Sequence, residues 1–271
     1  MSLKSDAILK EAAAPRDHGR PLHEAVRLYF GYLLLGVMCL GFSFLAIALR
    51  LFLPQAMSKR LGRKLIVGAF RFYLRSLVLM GACRFDLSEL DALRGGPAMI
   101  LAPNHPSLLD AVMILSRLPD AGCIMKADIV NSVFFGAGAR LGCYIRSTPI
   151  RTMVQLAIAD LREDSHVLLF PEGTRTTRFP VGSLQATTGL IAKHSGMPVQ
   201  TLFIETSSGF LGKGWSVFRT PEMPITYRIR LGRRFAPPAN TAEFTHELEQ
   251  YFLAELAHAQ LPQFSACGPP A

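Results

Sequence analysis

The chain has 271 residues, enough for one sizeable domain with an appendage, and a formal net charge of +9 with a pI near 9.6. Such an excess of cations selects an anionic partner, and a mean hydropathy of +0.28 favours a lipid surface over nucleic acid. The five cysteines are scattered without a Cys-x-x-Cys spacing, which supports neither a disulfide framework nor a zinc site and fits a reducing compartment.

Residues 1–22 are polar and mixed in charge and read as a loose tail. Residues 28–49 then run for 22 positions without a charge. As a helix they rise about 33 Å, against a hydrocarbon core of roughly 30 Å. The run starts too late and is too long for a signal peptide, and no small-residue cleavage site closes it. A buried core helix is the alternative. No acidic residue occurs between Glu24 and Asp86. Three basic residues (Arg16, Arg20, Arg27) fall in the 15 positions before the run and five (Arg50, Lys59, Arg60, Arg63, Lys64) in the 15 after it. That excess places the C-terminal side in the cytoplasm, with the protein anchored in the cytoplasmic membrane. An in-plane anchor accounts for the flanking charges equally well. In 65–82, Arg71 and Arg75 stand four apart on one helical face. This suits a helix lying among anionic headgroups, or an amphipathic helix packed on the domain that follows. Residues 23–82 thus form a membrane-anchoring helical region.

From Cys83 onward short apolar runs alternate with helical patterns, as in an α/β domain covering 83–260. Strands are expected at 98–102, 122–126, 166–170, 199–205 and 225–231, and helices at 107–117, 149–162 and 183–194. In the last strand Ile225, Tyr227, Ile229 and Leu231 alternate with Thr226, Arg228 and Arg230, which predicts one wet face. A final helix over 241–259 opens with Asn240 and Glu243 in capping-box spacing. Residues 261–271 read as a disordered tail.

Two motifs carry chemistry. The first is Asn104-His105-Pro106-Ser107-Leu108-Leu109-Asp110, directly after the strand at 98–102. Pro106 fits the first position of a helix, which puts His105 at a strand end and Asp110 within the next turn. Histidine suits proton abstraction near neutrality, and a carboxylate beside it can fix its tautomer. A helix-capping pair is the bland alternative. The second motif, Phe170-Pro171-Glu172-Gly173-Thr174-Arg175, follows the strand at 166–170. Pro171 and Gly173 make a turn, and Thr174 and Arg175 supply groups suited to phosphate oxygens. Glu172 could fix that arginine or bind a substrate hydroxyl. Lys126 ends another strand and Arg146 follows Gly142-Cys143-Tyr144-Ile145, so all these groups fall at the carboxyl ends of strands, where open α/β sheets bind ligands.

With these motifs in hand, the sequence resembles the glycerolipid acyltransferases of the lysophosphatidate acyltransferase (PlsC) type. Residues 104–110 look like the family's His-x4-Asp block, with His105 and Asp110 on its catalytic positions. The stretch 142–146 looks like its glycine-to-arginine block, 170–175 matches its Phe-Pro-Glu-Gly-Thr-Arg block throughout, and Pro198-Val199 falls where its proline block lies. Lys126 matches a lysine common in the family. The glycine and arginine of the second block stand closer together here, and Gln200-Thr201 replace a second proline in the fourth. The resemblance implies a mixed β-sheet flanked by helices, in the manner of a glycerol-3-phosphate acyltransferase domain.

It further implies a membrane-associated transferase with His105 as general base and Asp110 as its partner. Lys126, Arg146, Glu172, Gly173, Thr174, Arg175 and Pro198 would contact substrate. The donor would be acyl-CoA or acyl-carrier protein, used as co-substrate, with no metal and no cofactor. The acceptor would be lysophosphatidate or another lipid alcohol such as a lysophospholipid or lyso-ornithine lipid, in phospholipid biosynthesis. A serine hydrolase is disfavoured because no Gly-x-Ser-x-Gly elbow occurs. A non-catalytic phospholipid-binding protein is disfavoured by the intact His105 and Asp110. Nucleic-acid binding is disfavoured because the basic residues sit beside apolar helices.

Overall fold

The computed structural model describes residues 22–52, 54–132, 136–178 and 180–257; the tails expected at the two ends lie outside these, Leu22 excepted. Helix α1 (Leu22–Phe52) contains the uncharged run and is apolar on every side. Leu28, Tyr32, Leu35 and Met38 pack toward the domain, while Leu22, Val26, Phe30, Leu33, Val37, Phe44 and Leu51 stay exposed. The stretch Leu22–Leu49 is long and apolar enough to cross a bilayer, and only 11% of its most apolar window is buried. With that much apolar surface open, α1 is a membrane-anchoring helix rather than a core helix.

Helix α2 (Gln55–Leu79) starts after Pro54 and ends in a Schellman closure. The Gly81 N–H bonds Val78 O (2.8 Å), the Ala82 N–H bonds Leu77 O (2.9 Å), and Gly81 takes the left-handed φ of +68° that this closure needs. Its cations do not all face lipid. Arg71 Nε donates to Ser116 O at 2.7 Å. Arg63 is buried, with Nη2 2.5 Å from Asp160 Oδ2, Nη1 on Ser165 Oγ and Nε on Gly142 O. The packed amphipathic reading therefore holds for this face, because a charge placed against the domain finds carboxylate and carbonyl partners there.

The domain is a seven-stranded sheet in the order β1-β7-β6-β2-β5-β3-β4. Its strands are β1 (Cys83–Asp86), β2 (Ile100–Pro103), β3 (Ala121–Met125), β4 (Ile145–Arg146), β5 (His166–Leu168), β6 (Val199–Thr206) and β7 (Ile225–Phe235). Every pairing is parallel except β6 with β7, so β1 and β7 run against the other five. Alternation along the strands divides the core. Leu101, Leu168, Leu202 and Ile204 enter the layer that holds α1, α2 and α3 (Asp110–Arg117). Ile100, Ala102, Val167 and Phe203 enter the layer under α6 (Ile150–Arg162), α7 (Thr187–Ser195) and α8 (Thr241–Ala257). Two short helices, α4 (Ala127–Asn131) and α5 (Gly136–Leu141), link β3 to β4.

The fold class matches the expectation, with three differences in detail. First, α3 starts at Asp110, so Pro106 is not a helical residue. Second, β7 is longer than predicted, and its polar face, expected to be wet, is half covered. Arg230 reaches Glu205 (2.8 Å) and Glu255 of α8 (3.0 Å) and stacks on Phe203. Third, Gln200 and Thr201 serve a bulge between β6 and β7: Gln200 Nε2 donates to Gly232 O (2.6 Å) and Thr201 Oγ1 to Arg233 O (2.8 Å). Burial pushes the Cys83 and Cys123 thiols up to about 12, so they behave as small apolar residues.

Replacing Arg63 with alanine leaves the buried Asp160 carboxylate with Lys59 as its one side-chain cation among the described residues. It also removes the donors to Gly142 O and Ser165 Oγ, and should cost about 3–5 kcal/mol. The more exposed Lys59, 2.6 Å from the same carboxylate, should cost no more than about 1 kcal/mol when truncated. Denaturant melts of the two variants in one detergent would test this ordering.

Candidate active site

β2 ends at Pro103, and Asn104 takes over its pairing with β6. Its Nδ2 donates to Ile204 O (3.0 Å) and its Oδ1 accepts from the Ile204 N–H (2.7 Å). The chain then turns across the top of α3. Asp110, the first residue of that helix, is fully buried, and its Oδ2 accepts from the Ser107 N–H (2.8 Å) and from His105 Nδ1 (2.8 Å). Ser107 Oγ donates to Phe210 O (3.0 Å). These bonds draw 105–109 out of helical geometry, which is why the helix begins later than Pro106 alone suggests.

The Asp110 carboxylate takes Nδ1 as its donor, and His105 Nε2 has no hydrogen-bond partner among the described residues, so in the neutral ring it is the nitrogen with the open lone pair. The ring is stacked on Phe170 with centroids 3.8 Å apart and planes 21° from parallel. Burial pushes the Asp110 carboxyl above its ordinary value, against the bonds from His105 and Ser107.

The second motif meets the first directly. The Gly173 N–H bonds Phe170 O at 2.9 Å, closing a turn with Pro171 in its second position. Gly173 adopts φ +64°, and a Cβ there would lie 2.2 Å from the Gln185 side chain. Glu172 is buried and does not touch Arg175. Its Oε1 accepts from the His105 N–H (3.0 Å) and Thr176 Oγ1 (2.7 Å), and its Oε2 from the Gly182 N–H (2.8 Å). The Thr176 N–H in turn donates to His105 O at 2.8 Å. Both backbone polar groups of the histidine are therefore fixed by this turn. Glu172 thus holds the loops in place, and its carboxylate is fully engaged in doing so.

Arg175 spends one nitrogen on the fold, with Nη1 2.9 Å from Leu211 O and 2.8 Å from Gly212 O. Its Nε and Nη2 have no partner among the described residues. Leu211, whose O also accepts from the Leu108 N–H, is held at φ +57°. Lys126 and Arg146 lie on the same carboxyl edge, at the ends of β3 and β4, and both are exposed. Two and three strands from β2, they stand roughly 10 and 14 Å along the edge at about 4.8 Å per strand. Arg146 donates to Asn131 Oδ1. Pro198 is at the other edge: it precedes β6, and its O accepts from the Ile100 N–H at the start of β2 (3.0 Å). Sequence reasoning missed Asn104, Ser107, Thr176, Gly182 and the 210–212 carbonyls, whose partners are mostly distant in the chain.

Residues 84–205 match the family model described as Acyltransferase. The chain is 23% identical over 215 residues to the 1-acyl-sn-glycerol-3-phosphate acyltransferase of Pseudomonas aeruginosa, covering 77% of this chain and 80% of that one. Its fold is similar to the crystal structure of the 1-acyl-sn-glycerophosphate (LPA) acyltransferase PlsC from Thermotoga maritima. The TM-score is 0.68 at 17% identity, covering 89% of this chain and 99% of that one. A histidine–aspartate pair set at a sheet edge behind a membrane-anchoring helix makes this molecule a membrane acyltransferase. Residues 84–205 are an acyltransferase-family domain, and the chain as a whole is similar to the PlsC-type glycerolipid acyltransferases.

A Glu172→Gln variant must turn an amide N–H₂ toward either His105 or Gly182. We expect a stability loss of about 1–3 kcal/mol and a matching fall in turnover. Parallel melting and rate measurements would check it, and unchanged values for both would refute the positioning role.

Proposed function

We propose that the chain moves a fatty acyl group from an acyl thioester, acyl-CoA or acyl-carrier protein, to the free hydroxyl of a lysophosphatidate-like glycerolipid. The reading rests on one observation above the others: the His105–Asp110 bond leaves Nε2 without a partner among the described residues, and the turn that carries the half-free Arg175 is bonded to the His105 backbone. Asp110 holds the Nδ1–H tautomer, and Nε2 accepts the hydroxyl proton as the acceptor oxygen attacks the thioester carbonyl. The tetrahedral intermediate then collapses, the C–S bond breaks, and the imidazolium returns its proton to the departing thiolate. The products are an ester and a free thiol, and no acyl-enzyme forms. General-base help of this kind contributes about 10²–10⁴-fold. The rest would come from holding two substrates in register.

Nε and Nη2 of Arg175, with Thr174 and the Gly173 backbone, are assigned to the acceptor phosphate; Lys126 and Arg146 are assigned to anionic groups further along the edge. Glu172 positions His105 and is assigned no substrate contact. Gln200 and Thr201, which depart from the family's proline pattern, pair with Leu101 and Ala102 of β2 and bond across to β7. Residues 23–82 serve as the anchor and 83–260 as the catalytic unit. The basic excess after α1 favours a cytoplasmic active site.

A folded His105→Ala protein should lose about 10²–10⁴-fold in turnover; an unchanged rate would remove the base. Arg175→Ala should lower the preference for a phosphorylated acceptor over the matching monoacylglycerol, measured as a ratio of kcat/KM values with melting followed in parallel.

Asp110→Asn makes a sharper test, because activity and stability should move apart. The Asp110 pKa is raised in the folded state. Its stabilising share is therefore complete below the unfolded value of about 3.9 and is lost as pH rises through the folded value. The asparagine protein should melt at the same temperature as the parent near pH 4 and at a higher one at pH 7. It should be nearly inactive at both, because the amide presents the wrong tautomer to His105.

A further inference from the structure

β6 and β7 are antiparallel neighbours that a tight turn could join, yet eighteen residues, 207–224, separate them. A connection of that length between paired strands calls for a function. The loop leaves the carboxyl end of β6, on the edge that carries His105, and its first half is bonded to the catalytic loop. Phe210 O accepts from Ser107 Oγ (3.0 Å), and Leu211 O accepts from the Leu108 N–H (3.2 Å) and from Arg175 (2.9 Å). Its second half points outward. Phe218 is 80% exposed and Val217 52%; Leu108 of the catalytic loop, whose N–H bonds Leu211 O, is 48% exposed. Cations flank them: Lys213 is exposed, and the Arg219 guanidinium lies 4.5 Å over the Trp215 ring.

Exposed apolar residues alone would not name a partner; their connection to α1 does. Trp215 packs edge-on to Phe210 at 5.8 Å, Phe210 stacks on Tyr32 of α1 at 6.3 Å, and Tyr32 meets Tyr29 at 6.3 Å. An unbroken row of aromatic rings thus joins the loop to the membrane-anchoring helix. Tryptophan and tyrosine beside lysine and arginine are the groups that collect where hydrocarbon meets headgroups.

We propose that the 207–224 loop is a second membrane contact: Val217 and Phe218 enter the bilayer at the headgroup–acyl boundary, and Lys213 and Arg219 meet lipid phosphates. His105 is then held at the lipid surface from two sides, by α1 and by a loop whose backbone carbonyls bind its own flanking residues. The occupant is a bilayer, since the ring row ties this loop to a helix whose own apolar face is open.

The chain supplies its own reporter, because Trp215 is its single tryptophan. Full-length protein would be reconstituted into phosphatidylcholine–phosphatidylglycerol vesicles carrying bromine at defined acyl-chain depths. Trp215 emission should be quenched most by the shallowest bromines. In a Val217→Ser/Phe218→Ser protein, which still floats with the vesicles through α1, quenching should fall several-fold. Substituting two exposed side chains should leave the melting temperature in detergent unchanged. Emission indifferent to bromine while the parent protein floats would overturn the proposal and favour a docking surface for a soluble partner. Quenching undiminished in the double variant would overturn it as well, since α1 alone would then explain the depth of Trp215.

Discussion

A carboxylate removed entirely from water has to be met by donors, and Asp110 governs this molecule's site for that reason. Two groups reach its Oδ2, the Ser107 N–H and His105 Nδ1, and Oδ1 has no partner among the described residues. The carboxyl is thus served on one side only, and burial outweighs the bonds that favour its ionised form. The arrangement is a costly one for the fold, and it engages Nδ1 so that Nε2 is the ring nitrogen left without a partner among the described residues. The irregular path of 105–109 is a consequence of the same demand.

Around that pair the carboxyl edge of the sheet is braced from both neighbours of β2. From the end of β5 comes the turn whose Glu172 and Thr176 hold the His105 backbone; from β6 comes Asn104's partner Ile204, and from the loop that follows it the carbonyls that hold Ser107 and Leu108. Charge is used sparingly for ligands. Arg63, Arg71 and Arg230 are tied to carboxylates or carbonyls, and Arg175 gives one nitrogen to the loop. A net charge of +9 therefore overstates what a substrate would meet.

What could be read in advance depended on how local its cause was. His105 and Asp110 are five residues apart, so the pair is visible in the sequence, and long apolar runs reveal β2, β3, β5, β6 and α1. β1 and β4, with four and two residues, are too short to show a period. Pro106 suggested a helix start because its intrinsic preference is local, and three bonds to Asp110 and Phe210 outweighed it. Glu172 looked like a partner for Arg175, three residues on, but its donors come from positions 105, 176 and 182. The loop over 207–224 has neither a period nor a charge block. Its tie to the catalytic loop emerges only when Phe210 is found against Ser107, 103 residues earlier.

Helix α1 illustrates how one sequence pattern can serve two solvents. Its outward residues Leu22, Val26, Phe30, Leu33, Val37 and Phe44 follow helical spacing, and so do the inward Leu28, Leu35 and Met38. A soluble amphipathic helix would be polar on the first face, and a free-standing span would not need the second to fit a protein. Here the second face carries Tyr32 to Phe210 and Phe42 to within 3.2 Å of the Cβ position of Gly138 in α5. The anchor is therefore part of the domain's packing, so the distance between lipid and His105 is set by side-chain contacts and not by a tether. An enzyme whose acceptor resides in a membrane benefits from that stiffness, because the entropy of finding the surface is removed once, at folding, and need not be removed again in each catalytic encounter.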